Sequence, residues 1–390
     1  MNLKTVSIVF VIVLIVAAVG AFYAGTASAG TKTTTITAVS SQTSTVISTV
    51  TTPTTRTITD MLGRNLTVPT NIRRVLTTGP VEMELVYMLA PSKLAGLSFS
   101  YDGAPTPGEP LAPLVPANMS GLPVVGGWFG RQTGNFETFI GAQPDIILDG
   151  QHDQSGGATD INAFQQKFGD IPVVELNSSW DATVTGYTAA IRFVGNLLGV
   201  PQQATNLINY YQDAMNYVNG ITSSIPSASR VKVYYAEGGN GLSTDPTGSM
   251  HTQLLSFCGG INVANVTLLP GYGMASVSPE QILLWNPDMI LIGRGSQASL
   301  YHTVLSNTTW SSVNAVKDGK VYVRPDNPFS WFDGPPGPMQ IVGMYWMVHI
   351  LYPAQTSGLD LNGKITQFYT QFMHYSLNST QLAEVDANPH

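Results

Sequence analysis

The sequence predicts an α/β protein made of two lobes that a long helix joins, with a ligand cleft between the lobes. First, short apolar runs alternate with helical patterns in residues 58–200 and again in residues 226–390, which is typical of parallel sheets. Second, apolar residues recur with a helical period within residues 201–225, which predicts a rigid bridging helix of about 20 residues. Third, one sequence phrase occurs once in each half.

The repeated phrase predicts a glutamate at the same corner of each lobe. The first copy, NFETFIGAQPDIIL (135–148), contains Glu137, and the second, SPEQILLWNPDMIL (278–291), contains Glu280. In both, Pro-Asp follows the glutamate after the same number of residues, so each copy predicts a helix that begins near a carboxylate and leads into a buried strand. Carboxylates on two separate lobes suit docking to a two-fold partner with basic residues better than shared acid–base catalysis.

Residues 1–29 and 30–57 precede the lobes and predict an exported protein. Residues 6–24 are almost wholly apolar, which is long enough for a membrane span, and we expect either a cleaved signal peptide or, preferably, a retained membrane anchor. The Thr/Ser-rich residues 30–57 predict a stalk. The expected location is the extracellular face of the cell membrane. A later apolar stretch, residues 339–353, is too short for a second span, so we expect it to pack within the protein.

Composition and motifs exclude several functional classes. The formal net charge of −7 argues against a nucleic-acid partner. The single cysteine, Cys258, excludes an intramolecular disulfide and a cysteine-based zinc site. The chain lacks a Gly-x-Ser-x-Gly, a His-Glu-x-x-His and a phosphate-binding loop, so we predict no catalytic residue and no enzymatic activity. We also expect a monomer with no metal site and no cofactor of its own.

Residues expected near the carboxyl ends of the predicted strands, most of them in loops, are the candidate ligand-binding residues, because ligands of open α/β sheets bind at these ends. Their aromatic side chains offer apolar faces, and two arginines offer charge-assisted hydrogen bonds to an anion. A histidine in this set is more typical of a solvent-facing residue than of a metal ligand. The candidates are Tyr101, Trp128, Arg131, His152, Tyr235, Asp245, Tyr272, Arg294, Trp331 and Phe332.

Four passages together resemble the substrate-binding proteins of ABC importers, in the rigid-helix class that carries iron–siderophores, haem and cobalamin. They are residues 57–79, the two copies of the repeated phrase, and residues 238–264. The resemblance covers about residues 58–375 and implies two Rossmann-like α/β lobes. It further implies capture of a metal chelate (a ferric siderophore, haem or corrinoid) and its delivery to a permease dimer with a cytoplasmic ATPase. In that family the equivalents of Glu137 and Glu280 pair with permease arginines.

Two other functions stay open on the sequence. Some members of the same fold class carry a bare oxyanion such as molybdate or tungstate, and Arg131 and Arg294 would then matter more than the aromatic residues. A surface adhesin on a Thr-rich stalk would instead leave the two glutamates without a partner.

Overall fold

A computed structural model describes residues 31–39, 45–99, 119, 121–129, 131–150, 157–176, 183–268, 274–293, 297–334 and 336–386. It confirms an α/β fold of two lobes with connecting helices. The α-helices are Pro80–Leu89, Phe136–Gly141, Gly157–Gln165, Tyr187–Leu197, Pro201–Thr222, Gln253–Phe257, Pro279–Trp285, Gln297–Ser306, Asn314–Lys317, Gln340–Leu351, Leu361–Phe372 and Ser379–Asp386. The hairpin Thr55–Thr59 and Asn65–Pro69 leads into the first lobe.

The first lobe is built on a parallel sheet, which we call the first-lobe sheet. Ile146–Asp149 lies at its centre, between Val75–Thr77 and Val173–Glu175. Every residue of these strands is buried, since helices cover both faces, and this explains why each strand begins with consecutive apolar residues. The stretch 94–100, which the sequence predicts as a strand, makes only isolated parallel bridges in its described part, through Leu94 and Leu97.

The second lobe is built on a four-stranded parallel sheet, the second-lobe sheet. Its strands lie in the order Ile261–Asn262, Lys232–Ala236, Met289–Ile292 and Val321–Val323. Alternate residues of a strand point to opposite faces. Tyr235 therefore packs into the central core of the protein, while its neighbour Tyr234 packs into a separate core on the outer face.

The two lobes share one hydrophobic core. Leu148 of the first-lobe sheet and Leu291 of the second-lobe sheet belong to the same buried cluster. The long helix Pro201–Thr222, which has the extent that its apolar period predicts, lies in this cluster with the helix Gln340–Leu351. The lobes are therefore joined by packed side chains as well as by the chain.

The helix Gln340–Leu351 is apolar on all sides because it is buried on all sides. Residues 340–348 are all buried, and a helix that is hydrophobic all round is typical of a protein core. This confirms packing within the protein. Across the described part of the chain, no helix has both the length and the apolar character needed to cross a bilayer.

Two segments differ from what the sequence predicts. The stretch 248–260 patterns as one helix but folds as the 3-10 turn Met250–Thr252 followed by Gln253–Phe257. Ser249 caps this turn by accepting a hydrogen bond from the backbone N–H of His251 at 3.2 Å, and the cap favours a tight turn at that point. In the Thr/Ser-rich tract, Thr31–Val39 pairs antiparallel with Thr45–Pro53. Its role as a stalk stays a prediction, and the predicted signal or anchor segment, residues 1–29, lies outside the described residues.

Candidate functional site

The two copies of the repeated phrase begin with the same local structure. Asn135 caps its helix by accepting a backbone hydrogen bond at 2.9 Å, and Ser278 does so at 3.3 Å. Glu137 and Glu280 follow in the first turn of each helix, and both are exposed. The pKa of Glu280 is lowered by its own backbone N–H and by the Ser278 hydroxyl. Both corners therefore present a carboxylate to solvent.

The two copies also end in the same way. The residue before each Pro has a positive φ, 48° in the first copy and 43° in the second. The Asp after each Pro then holds the start of the neighbouring strand: Asp145 accepts from the backbone N–H of Arg74 at 2.9 Å, and Asp288 from that of Lys232 at 3.0 Å. The two glutamates therefore lie in the first turn of helix–strand units that make the same local hydrogen bonds.

Buried polar side chains gather at the carboxyl edge of the second-lobe sheet. We call Glu237, Asp245, His251 and Asp333 the second-lobe cluster. His251 Nδ1 lies 2.6 Å from Asp333 Oδ1, and the Tyr235 hydroxyl donates to Asp333 Oδ2 at 3.2 Å. The cluster thus brings together a strand end, the loop after it, a 3-10 turn and the loop that follows the last strand of the sheet.

The second-lobe cluster is almost closed to water. Glu237, Asp245 and Asp333 are 1%, 2% and 1% exposed. Burial, followed by the repulsion and hydrogen bonding of Asp245, raises the pKa of Glu237 to about 9. Burial also raises the pKa of Asp245. The ligand atoms of Asp245, His251 and Asp333 all lie within 4.8 Å of one another, so these three groups are able to face a common cation.

A buried arginine lies beside this cluster. Arg324 follows the last strand of the second-lobe sheet and is 4% exposed. It forms an ion pair with Asp326 at 3.2 Å and donates to the Ser330 hydroxyl at 2.9 Å. Nearby carboxylates, Asp326 first, keep its pKa above the ordinary value despite burial. The edge of the second lobe therefore contains both a guanidinium and several carboxyl groups.

On the first lobe, the helix Pro80–Leu89 buries two glutamates near the contact between the lobes. Glu82 is 0% and Glu84 4% exposed. Burial, then Asp326, then Glu82 raise the pKa of Glu84 well above its ordinary value. A Cβ at Gly337 would lie 2.9 Å from Glu84 Oε2, so a glycine allows the second-lobe loop to approach this carboxyl closely.

The aromatic candidates that the structure describes pack inside the protein. Ring centroids of Phe136, Phe139, Phe164 and Phe168 lie 4.8, 5.0, 5.1 and 5.8 Å from that of Trp128. Trp331, Phe332 and Tyr235 are each 0% exposed. The Phe332 ring meets the Tyr235 ring edge-on at 5.0 Å. In this structure these rings contribute to packing.

The structure brings some of the predicted residues together and leaves others outside its description. Tyr235, Asp245 and Phe332 meet at the second-lobe cluster, whereas Trp128 lies in the first lobe. Arg131 is described only in its backbone, in the strand Arg131–Gln132. Outside the described residues lie Tyr101, His152, Tyr272 and Arg294.

Sequence reasoning missed several residues of this region. His251 sits in a stretch that patterns as an ordinary helix, and its position between a strand and a helix, six residues after Asp245, was the available signal. Glu82 and Glu84 lie in a helix whose other residues are apolar or aromatic. A helix with so few polar residues is a buried helix, and that pattern could have identified both glutamates as buried.

Comparison with known families identifies the class of protein. The family described as periplasmic binding protein matches residues 126–328, which is more than half of the 390 residues. The chain therefore belongs to the periplasmic binding protein family. This confirms the resemblance to importer-type solute-binding proteins, and with it the two-lobed fold.

Two individual relatives match most of the chain. A solved ABC transporter solute-binding protein from Sulfurospirillum deleyianum is 27% identical, with a TM-score of 0.73, and the match covers 85% of this chain and 98% of that one. The molybdate-binding protein MolA of Haemophilus influenzae is 23% identical over 340 residues, which are 82% of this chain and 92% of MolA. The molybdate-bound structure of MolA superposes with a TM-score of 0.65.

A third relative gives a shorter match. The vitamin B12-binding protein of Pectobacterium carotovorum is 25% identical over 178 residues, or 46% of this chain and 59% of that protein. These relatives are named as binding proteins. The chain is thus a periplasmic-type binding protein of the ABC transporter class, and the absence of enzymatic activity stays a prediction.

Proposed function

We propose that the chain is the extracytoplasmic solute-binding component of an ABC importer and that its solute is a small metal oxyanion of the molybdate or tungstate type. The observation that supports this choice is the extent of the MolA match, 92% of that protein. The vitamin B12-binding relative is matched over only 59% of its length. Membership of a binding-protein family also favours transport over a surface adhesin.

The packing of the aromatic residues supports a small solute. A chelate as broad as haem or a corrinoid needs exposed apolar faces. Trp331, Phe332 and Tyr235 are fully buried, and Trp128 packs against four phenylalanines. An oxyanion needs hydrogen-bond donors and positive charge instead, and we assign this role to Arg131 and Arg294.

The experiment compares the effect on affinity of replacing Arg131 or Arg294 with the effect of replacing a third arginine, Arg192. Equilibrium dialysis of the full-length chain against molybdate and tungstate, with sulfate as competitor, measures affinity. We expect binding by the wild type and by Arg192→Ala, since Arg192 is exposed on the helix Tyr187–Leu197. Arg131→Ala and Arg294→Ala are each expected to weaken binding about 10-fold or more, as loss of a charge-assisted bond implies. Unchanged affinity in both variants would show that the assignment is wrong.

A metal chelate is the second candidate solute. The vitamin B12-binding relative favours it, and so do Tyr101 and Tyr272, which belong to the predicted loop residues. Absorbance titration with cobalamin, haem and a ferric siderophore distinguishes the two candidates. A visible-band shift with one of these chelates, together with no uptake of molybdate or tungstate, would replace the oxyanion proposal by the chelate.

We further propose that Glu137 and Glu280 dock the chain onto a permease dimer. Their equivalent positions, set by matching caps and matching Asp anchors, support contact with a two-fold partner. Each also has an aliphatic neighbour one turn along its helix: Ile140 is 43% and Leu284 80% exposed. An exposed apolar side chain beside a carboxylate is typical of a protein-contact surface.

Uptake by the host cell separates docking from solute binding. The double variant Glu137→Ala, Glu280→Ala is expected to bind solute with wild-type affinity but to support much slower uptake. Asp170→Ala and Asp318→Ala, which remove one exposed carboxylate from each lobe, are the matched control and should leave uptake unchanged. Wild-type uptake by the glutamate double variant would rule out the docking role.

A further inference from the structure

Beyond the proposed solute, we propose that the second-lobe cluster binds one divalent transition-metal cation, with Asp245, His251 and Asp333 as ligands and Glu237 supplying a further oxygen. No resemblance or relative assigns a function to this group of residues. The site lies within one lobe, so it is complete without a contribution from the first lobe.

The spacing of the ligand atoms fits a shared cation. One atom from each of Asp245, His251 and Asp333 lies within 4.8 Å of the others. The ligand atoms around a tetrahedral zinc ion are separated by about 3.3–3.6 Å, because each bond is about 2.0–2.2 Å long. Small side-chain movements therefore suffice to close the site. One imidazole with several carboxylates is a ligand set that suits Zn²⁺ or Mn²⁺.

An independent observation supports a cation at this cluster. Glu237 is 1% exposed, and its Oε2 has no hydrogen-bond partner. The acidic neighbours that act on this carboxyl are Asp245 and Asp333, so it belongs to the cluster spatially as well as electrostatically. Thr244, which is 0% exposed, also has a hydroxyl without a partner. A buried polar atom without a partner is costly, and a cation would supply that partner for Glu237.

The charges of the region also favour a cation. Among the described residues of this region, four acidic side chains lie near two groups able to carry positive charge. The acidic groups are Glu237, Asp245, Asp326 and Asp333, and the basic groups are Arg324 and His251. Glu237 keeps its proton in the metal-free protein, so a divalent cation would replace that proton and balance the negative charge of the carboxylates.

Surrounding hydrogen bonds orient two of the proposed ligands. The Ser249 hydroxyl donates to Asp245 Oδ1 at 2.9 Å, and the Tyr235 hydroxyl donates to Asp333 Oδ2 at 3.2 Å. Such outer bonds hold carboxylate ligands in position and are characteristic of metal sites.

The test measures metal uptake by the full-length chain prepared without a histidine tag. After removal of metal with a chelator, Zn²⁺ and Mn²⁺ are titrated separately, and bound metal is quantified by mass spectrometry after desalting. We expect about one equivalent per chain in the wild type and in His302→Ala, whose histidine is exposed on the helix Gln297–Ser306. Affinity is expected to fall about 10-fold or more in Asp245→Asn and His251→Ala.

Two results would overturn the proposal: a stripped wild-type chain that takes up neither ion, or wild-type affinity in both Asp245→Asn and His251→Ala. Circular dichroism of the stripped variants establishes that they are folded. If one of them is not folded, Glu237→Gln takes its place, because it preserves shape while weakening the proposed oxygen ligand. Oxyanion binding measured in the presence of chelator tests the proposed function separately from this site.

Discussion

Replacing Glu237 with Gln is expected to remove a pH dependence of stability from the metal-free protein. In the folded protein the pKa of Glu237 is about 9, against an ordinary value of 4.5. Between these values the folded protein keeps a proton that the unfolded chain releases. The stabilisation is therefore complete below pH 4.5 and is lost progressively as the pH rises towards 9.

The size of the effect follows from the pKa difference. One retained proton changes the free energy of unfolding by about 1.4 kcal/mol per pH unit. From pH 5 to pH 8 the wild type is then expected to lose about 4 kcal/mol through this group. Gln cannot ionise, and its side-chain amide can keep the hydrogen bond by which Glu237 lowers the pKa of Asp245, so the Glu237→Gln curve should be flatter by a comparable amount.

Urea unfolding in the presence of chelator, at pH 5, 6, 7 and 8, measures this difference. Asp318→Asn, which alters an exposed carboxylate, is the control and should follow the wild type. Other buried carboxyls such as Glu84 contribute equally to both curves and cancel in the comparison. Parallel curves for wild type and Glu237→Gln would show that the buried carboxyl does not hold its proton as inferred.

Three further substitutions probe packing and capping. Trp128→Ala should lower the free energy of unfolding by about 3 kcal/mol, since the ring packs against four phenylalanines, and urea unfolding measures the loss. Gly343→Ala should prevent normal folding, because its Cβ would overlap the Trp331 carbonyl oxygen, and soluble yield and Tm report this. Asn135→Ala should cost about 1 kcal/mol through loss of the helix cap, again measured with urea.

Each of these three predictions has a result that would contradict it. A Cβ at Gly358 meets nothing within 4 Å, so Gly358→Ala is the control for Gly343→Ala, and equal Tm values would refute the steric argument. Wild-type stability of Trp128→Ala would mean that its ring contributes little to the first-lobe core. For Asn135, an Asp substitution that restores the cap should recover stability, and failure to do so would remove capping as the cause.

The elements that sequence reasoning predicted best are those with a repeated or periodic pattern. The long helix follows from an apolar stripe, and it extends from Pro201 to Thr222. The two helix–strand units follow from one phrase written twice, and their caps and Asp residues make equivalent hydrogen bonds. Apolar periodicity and helix capping depend on residues that are close in the chain, so a short stretch of sequence is enough to predict these features.

The second-lobe cluster depends instead on which strands become neighbours. Glu237 and Asp333 are almost a hundred residues apart in the chain, and only the parallel sheet brings their loops together. His251 enters the cluster through a 3-10 turn within a stretch that patterns as helix. The aromatic candidates depend on tertiary packing in the same way. The local sequence around Trp128 does not determine whether its ring contacts a ligand or four phenylalanines.

The hydrogen bonds across the lobe contact have a consequence for the proposed docking of the chain onto a permease. The Tyr187 hydroxyl donates to the Gly337 carbonyl at 3.0 Å, and the Tyr87 hydroxyl donates to the Met373 carbonyl at 2.7 Å. With one core spanning both lobes, we expect empty and loaded chains to present Glu137 and Glu280 at nearly the same separation. Empty chains would then compete with loaded ones for the permease, and the rate of uptake would depend on the fraction of chains that carry solute.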